Sequence, residues 1–150
     1  MKKQVAVLAH NIRSMHNIGS IFRTCDGAGV SKLYLTGYTA CPPRKEIEKT
    51  ALGATESVAW EHHKDPIALI KKLKGEGIQI LALERGKKSV DITRFNPKKP
   101  LCLLVGNEVD GVEPPLLKLA DRIVEIPMRG KKESLNVSVA FGIAIYQLSL

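Results

Sequence analysis

The residues of this chain that are best suited to chemistry lie in three loops, and each loop directly follows a short apolar run. The three loops are ERGKKS (84–89), GNEVDGVEPP (106–115) and PMRGKKESLN (127–136). In the second loop, Gly106 and Gly111 bracket Glu108 in a turn that ends where Pro114 and Pro115 start a helix. This turn fixes one carboxylate, which is either functional or an acceptor that stabilises the turn itself.

Familiar catalytic and nucleotide-binding motifs are missing from the chain. It has no phosphate-binding P-loop, no Gly-x-Ser-x-Gly elbow and no His-Glu-x-x-His pair. GAGVSK (27–32) has two of the three glycines of a dinucleotide-binding turn, but it follows a predicted helix and precedes a predicted strand, which is the wrong order. His10, His16, His62 and His63 lack the spacing of metal ligands, so we expect surface or loop histidines and no metal.

Five short runs rich in branched apolar residues predict the strands that position these loops. A further short strand is predicted around residues 58–60. The five runs cover residues 5–9, 32–36, 78–83, 101–105 and 122–126.

Helical periodicity appears between the predicted strands. Ile18, Ile21, Phe22 and Cys25 recur at the i, i+3, i+4, i+7 spacing of one helix face, and residues 67–73 repeat that spacing more briefly. This alternation predicts an α/β fold, a mostly parallel sheet flanked by helices. Because ligands bind beyond the carboxyl ends of parallel strands, we expect the ligand-binding site among these three loops.

Length and composition bound the class of protein. The chain has 150 residues, 44% hydrophobic and 25% charged, which predicts a single soluble domain over residues 1–150. Its apolar runs are too short for a membrane span or a signal peptide, and its three cysteines do not suit a disulfide framework. We therefore expect a cytoplasmic protein. The net charge of +8, from 23 basic and 15 acidic residues, favours RNA or DNA as a partner.

The predicted carboxyl-terminal helix is unusual because it lacks a polar face. Of the last 16 residues, 11 are apolar. A helix that is apolar nearly all round must be covered on nearly all sides. We expect a second subunit to provide this cover, which predicts a homodimer; the alternative is a helix wholly buried within one subunit.

Three stretches of the chain resemble the successive motifs of the SpoU/TrmH branch of the SPOUT RNA methyltransferases. They are NIGSIFRTCDGAGV (17–30), LLVGNEVDGV (103–112) and IPMRGKKESLNVSVA (126–140). The resemblance implies methyl transfer from S-adenosylmethionine to a ribose 2′-hydroxyl of tRNA or rRNA. It also implies a homodimer and a carboxyl-terminal trefoil knot, which general rules of chain topology would not predict.

The same resemblance implies which residues bind the cofactor. The 127–135 loop is implied to wrap S-adenosylmethionine, and Ser134 and Asn136 are then polar because they face the cofactor and the reacting ribose. The implied lining of the cofactor pocket is Leu83, Gly106, Ile126, Ser134 and Leu135.

Arg23 is the implied catalytic residue. A guanidinium keeps its proton, so its role would be to stabilise charge on the ribose oxygen and to grip a neighbouring phosphate. Asn17, Glu108, Ser134 and Asn136 are implied to form the hydrogen-bonded frame around it, and Asn17 could also cap the helix that it opens. The alternative for Arg23 is a surface arginine opposite the apolar helix face.

The substrate RNA is the least determined feature. The chain is read as a catalytic domain without an auxiliary RNA-binding domain, which favours tRNA over rRNA and leaves binding to the dispersed lysines and arginines. Two other functions remain open: a base-directed methyltransferase of the same superfamily, and a catalytically silent or partner-dependent RNA-binding protein.

Overall fold

A parallel sheet forms the centre of the computed structural model, which describes residues 4–150. Its strands are β1 (Val5–His10), β2 (Lys32–Thr36), β3 (Trp60–His63), β4 (Gln79–Leu83), β5 (Val90–Asp91), β6 (Leu101–Val105) and β7 (Arg122–Glu125). The strand order is β3-β2-β1-β6-β4-β7-β5, and every neighbouring pair is parallel. The predicted α/β class is therefore confirmed. The trefoil knot stays a prediction.

Helices cover both faces of this sheet. They are α1 (Met15–Ala28), α2 (Lys45–Ala51), α3 (Ala54–Ser57), α4 (Pro66–Gly75), α5 (Pro114–Leu119) and α6 (Val137–Ser149). One hydrophobic core packs α1, α2 and α6 on one face, and a second packs α4 and α5 on the other. Such two-sided cover explains why all five residues of β6 are buried. Within residues 4–150, no helix combines the length and the apolar character needed to cross a membrane.

The sequence predicted the long elements correctly, misplaced one short strand and missed other short elements. The strand predicted at 58–60 begins at Trp60 and runs to His63, because Val58 is instead a buried residue that ends α3. The sequence did not predict the short helices α2 and α3 or the two-residue strand β5. These elements have too few residues for a recognisable hydrophobic period.

The first turn of α1 differs from the prediction for Asn17. Ser14 is the N-cap, and its hydroxyl accepts from the backbone N–H of Asn17, so Asn17 lies inside the helix and does not cap it. Gly19 follows, and a Cβ there would overlap the Thr50 side chain and the carbonyl of Ile47. The absence of a side chain at Gly19 therefore lets α2 approach α1 closely.

Helix α6 is buried on one face only. Phe141, Ala144, Ile145 and Leu148 are buried in the core, as expected for an apolar helix. The opposite face is also apolar, yet Val139, Ile143 and Tyr146 are each about half exposed, at 51%, 46% and 52%. The alternative in which one subunit wholly buries this helix is therefore wrong.

Candidate active site at the carboxyl edge of the sheet

A cavity of about 440 Å³ lies beyond the carboxyl ends of β4, β6 and β7. This volume lies within the range of small-molecule sites in proteins. All five residues implied to bind the cofactor line it: Leu83, Gly106, Ile126, Ser134 and Leu135. The three loops expected to hold the ligand-binding site therefore do meet at one edge of the sheet.

The ends of the strands explain how these residues come together. Leu83 ends β4, while Gly106 and Ile126 directly follow β6 and β7. A Cβ on Gly106 would overlap the backbone of Gly111, where the turn folds back on itself through backbone hydrogen bonds between Asn107 and Gly111. Glycine at position 106 is therefore what allows this turn to close beside the cavity.

The cavity is acidic in a chain that is basic as a whole. Five of the residues that line it are acidic, against one basic residue, Arg85. The carboxylates belong to Glu84, Glu108, Asp110, Glu125 and Glu133. Such a lining favours a ligand that carries positive charge and disfavours a phosphorylated nucleotide.

Arg85 holds the 127–135 loop against the cavity. Its Nη1 donates to the carbonyl of Glu133, and its Nε lies 3.7 Å from Oε2 of Glu125. The hydroxyl of Ser89 donates to the other oxygen of Glu125 at 2.7 Å. The loop after β4 was predicted to contribute to the site, but no sequence pattern pointed to Arg85 or Glu125. The only available signal was their position at strand ends.

Glu108 anchors the amino-terminal end of α1. Its carboxylate accepts from the backbone N–H groups of Arg13 and Ser14, both at 2.9 Å, and from Nδ2 of Asn17 at 3.0 Å. Burial on its own would raise the pKa of Glu108, but these three hydrogen bonds outweigh burial and lower the pKa below its usual value. The turn that contains Glu108 is held instead by Asn107, whose Oδ1 accepts from the backbone N–H groups of Val109 and Asp110. Glu108 thus ties the turn that follows β6 to α1.

Replacing this carboxylate by an amide should destabilise the protein. Glu108→Gln loses one acceptor oxygen and turns an amide N–H₂ toward donors, so we expect unfolding free energy at pH 7 to fall by about 1–2 kcal/mol. Asp110→Asn, on the same exposed turn, is the matched control and should change stability by less than about 0.5 kcal/mol. Urea unfolding followed by circular dichroism measures both.

The pH dependence of that difference has a defined sign. Because the folded pKa of Glu108 lies below its ordinary value of 4.5, its stabilisation is fully present above pH 4.5 and is lost as the pH falls through the folded pKa. The stability gap between wild type and Glu108→Gln should therefore be constant near neutrality and shrink in acid. Equal stability of the two proteins at pH 7 would contradict the anchoring role.

The other catalytic candidates do not all reach the cavity. Asn17 reaches its rim through Glu108. Asn136 does not line the cavity; it caps α6, where its Oδ1 accepts from the N–H and hydroxyl of Ser138 at 2.9 and 2.6 Å. Arg23 is exposed, lies outside the cavity lining, and is six residues beyond Asn17, which is roughly 9 Å along the helix axis.

The structure partly corrects the prediction that the histidines are surface or loop residues. His10 is not a surface or loop residue: it ends β1 with 6% exposure, and its ring nitrogens lie 2.9 Å from the hydroxyl of Thr36 and 3.3 Å from Oε1 of Glu113. His16 and His62 are exposed, as expected. Over residues 4–150, no group of three or more His, Cys, Asp or Glu side chains is arranged to hold a metal ion.

Comparison with known proteins identifies the family. A sequence profile described as the SpoU rRNA methylase family matches residues 4–146. The chain belongs to this family. It is 40% identical over 147 residues to a tRNA (guanosine(18)-2′-O)-methyltransferase of Aquifex aeolicus, a match that covers 97% of this chain and 69% of that enzyme. It is 33% identical to the enzyme of the same name from Escherichia coli K12, over 95% of this chain and 62% of the relative, so it spans less than two thirds of the latter.

A solved structure supports both the fold and the cofactor of the SpoU chain. The AdoMet-bound rRNA methyltransferase of Sinorhizobium meliloti superposes with a TM-score of 0.91 at 29% identity, over 99% of this chain and 56% of that one. The cavity described above fits this cofactor. Leu83, Ile126 and Leu135 supply apolar walls for an adenine ring, and the surrounding carboxylates suit a ligand with a sulfonium and an ammonium group.

Proposed function

We propose that this SpoU-family chain transfers a methyl group from S-adenosylmethionine to a ribose 2′-hydroxyl of structured RNA. The observation that carries the proposal is the convergence of all five implied cofactor residues on one acidic cavity. The family assignment supplies the reaction class, and the net charge of +8 suits an RNA substrate.

Transfer RNA is the preferred substrate class in this proposal. The relatives named as tRNA methyltransferases are 40% and 33% identical to the chain, against 31% for a relative named as an rRNA methyltransferase. In this proposal, residues 1–150 form a single catalytic domain. RNA would then be held by basic side chains of that domain.

A homodimer is the second part of the proposal. The exposed face of α6 continues onto α1, because a Cβ on Gly27 would meet the hydroxyl of Tyr146, and one on Gly142 would contact Thr24. Together the two helices present one surface whose centre is apolar. A second copy of the chain that packed its own α1 and α6 here would bury the half-exposed side chains.

The active site would then be shared between subunits. Arg23 lies on α1 opposite the buried face formed by Ile18 and Phe22, so it points away from its own core. It belongs to the same α1 and α6 surface and does not line the cavity of its own chain. We propose that Arg23 of the partner subunit reaches the cavity of the first subunit.

In the proposed methyl transfer, Arg23, Glu108 and Asn17 have different roles. S-adenosylmethionine supplies a methyl group on a positively charged sulfur, which an oxygen nucleophile can take. The guanidinium of Arg23 stabilises the negative charge that develops on the 2′-oxygen and binds an adjacent phosphate. With the methyl donor bound, the hydroxyl proton would leave to that phosphate or to water as the 2′-oxygen receives the methyl group. Glu108 and Asn17 fix the start of α1.

Transfer of labelled methyl from S-adenosylmethionine to separate pools of unmodified tRNA and rRNA tests the proposal. After nuclease digestion, the label should appear in a 2′-O-methyl nucleoside from the tRNA pool. Ile126→Trp, which fills one wall of the cavity, should abolish both calorimetric cofactor binding and labelling. Label on a base would indicate the base-directed alternative. Cofactor binding without label in either pool would favour the silent or partner-dependent RNA-binding protein.

A further inference from the structure

An exposed aromatic ring is fixed beside the cavity. Tyr38 follows the carboxyl end of β2, at the same sheet edge as the cavity, and is 59% exposed. Its hydroxyl accepts from Nδ2 of Asn107 at 2.8 Å, and Asn107 itself lines the cavity. The ring is therefore separated from the cavity rim by one side chain.

Asn11 fixes the backbone beneath this ring. Its Oδ1 accepts from the N–H of Tyr38 at 2.9 Å, while its own carbonyl accepts from Nδ2 of Asn107 at 2.9 Å. Asn11 has a φ of 54°, and Gly37 has a φ of 65° where a Cβ would overlap the Asn11 side chain. Two left-handed residues thus turn the chain so that Tyr38 stands out from the sheet edge.

A polar network that is buried at His10 and Thr36 and partly exposed at Glu113 supports Asn11 in turn. Its Nδ2 donates to Oε1 of Glu113 at 3.2 Å, and the same oxygen lies 3.3 Å from the ring of His10. His10 is bound on its other side by Thr36, which is fully buried. The position of Tyr38 is therefore determined by a connected set of hydrogen bonds, while the residue itself is 59% exposed.

We propose that Tyr38 is a stacking platform for an unpaired nucleobase of the substrate RNA, next to the methylated ribose. This inference rests on the proposed function. Proteins read single-stranded RNA largely by stacking splayed bases on aromatic rings, and a fixed ring does so at low entropic cost. Arg13 is exposed, and its backbone N–H donates to Glu108 on the cavity rim, so its guanidinium is available for a phosphate of the RNA near this edge.

Three variants separate stacking from other roles. Tyr38→Leu should raise the KM and the Kd for unmodified tRNA by about ten-fold, which is the usual cost of losing one base-stacking ring. Tyr38→Phe keeps the ring and should restore both values to within about three-fold of wild type. Arg13→Gln should instead lower the slope of log affinity against log salt by about one, a slope that Tyr38→Leu should leave unchanged.

Fluorescence anisotropy with end-labelled tRNA at several salt concentrations, together with labelled-methyl kinetics, gives the outcomes. If wild type methylates RNA and Tyr38→Leu matches it in KM and Kd, stacking is overturned and the proposed function stands. If wild type binds RNA without methylating it and Tyr38→Leu binds ten-fold more weakly, stacking stands and the proposed function falls. Failure of wild type to bind RNA overturns both. A dimer lost in Tyr38→Leu, seen by light scattering, would also overturn stacking, because the ring would then be an interface residue.

Discussion

Arg23→Ala is expected to lower kcat for methyl transfer by about 100- to 1,000-fold, the usual cost of losing one group that stabilises charge in the transition state. Binding of S-adenosylmethionine should stay within about two-fold of wild type, since Arg23 is proposed to contact the 2′-oxygen and a phosphate of the RNA, while the cofactor cavity is lined by other residues. Unfolding should change little because the side chain is exposed and its hydrocarbon part lies outside the core. Calorimetry and labelled-methyl kinetics on the same preparation test these expectations.

The lysine variant identifies what the guanidinium contributes. Arg23→Lys keeps the positive charge but loses the planar fork that can bind an oxygen and a phosphate together. We expect kcat about ten-fold or more below wild type on bound RNA. Near-normal turnover of Arg23→Lys would contradict a specific guanidinium role and leave only a requirement for charge.

Mixed dimers test whether Arg23 acts on the neighbouring subunit. Arg23→Ala and Ile126→Trp subunits, each inactive alone, are unfolded together, refolded at equal amounts and assayed. If Arg23 acts across the interface, each mixed dimer has one site with an intact cavity and an intact Arg23, and random mixing gives about a quarter of wild-type activity. If Arg23 acts within its own chain, no dimer in the mixture has a complete site. Activity at the background level would therefore overturn the shared site.

The sheet, and the edge at which the three loops meet, could be predicted from the sequence for a physical reason. Long strands and α1 carry a hydrophobic period, and parallel strands direct the following loops to one edge. This geometry brings the three loops together, whereas the individual residues Leu83, Gly106 and Ile126 were implied by the resemblance to the SpoU/TrmH branch. Short elements such as β5 have too few residues to show a hydrophobic period. The strand predicted at 58–60 begins too early because Val58 is buried at the end of α3 and does not belong to a strand.

The hydrogen-bond partners were much less predictable from the sequence. Glu108 bonds to α1 across 91 to 95 positions of sequence, and no local pattern reveals such a pairing. Ser14, three residues before Asn17, is the N-cap of α1, and serine is a residue type that favours this position. Asn136 caps α6 with its side-chain oxygen, a bond to Ser138 that the sequence analysis did not predict, and its implied place in the frame around the ribose stays a prediction. The position of Arg23 relative to a cavity could not be predicted from a single chain, because in our proposal it acts at the cavity of the other subunit.

Ile143→Asp is expected to convert the protein from a dimer to a folded monomer. Ile143 is 46% exposed on the outer face of α6, between Val139 and Tyr146, where the proposed partner would bury it. A carboxylate in that contact would lose its hydration without gaining a partner. Ile67→Asp is the matched control, since Ile67 is 37% exposed on α4, on the other face of the sheet, and should leave the dimer intact.

Sedimentation velocity and activity measured on the same samples decide the outcome. If the site is shared, Ile143→Asp should lose methyl transfer by at least the factor seen for Arg23→Ala, because the monomer has no second Arg23 to supply. Its S-adenosylmethionine binding should persist, since the cavity is formed within one chain. An Ile143→Asp protein that is dimeric and fully active would show that α6 is not the interface. A folded Ile143→Asp monomer with wild-type activity would confirm the interface and remove the need for Arg23 of the partner subunit.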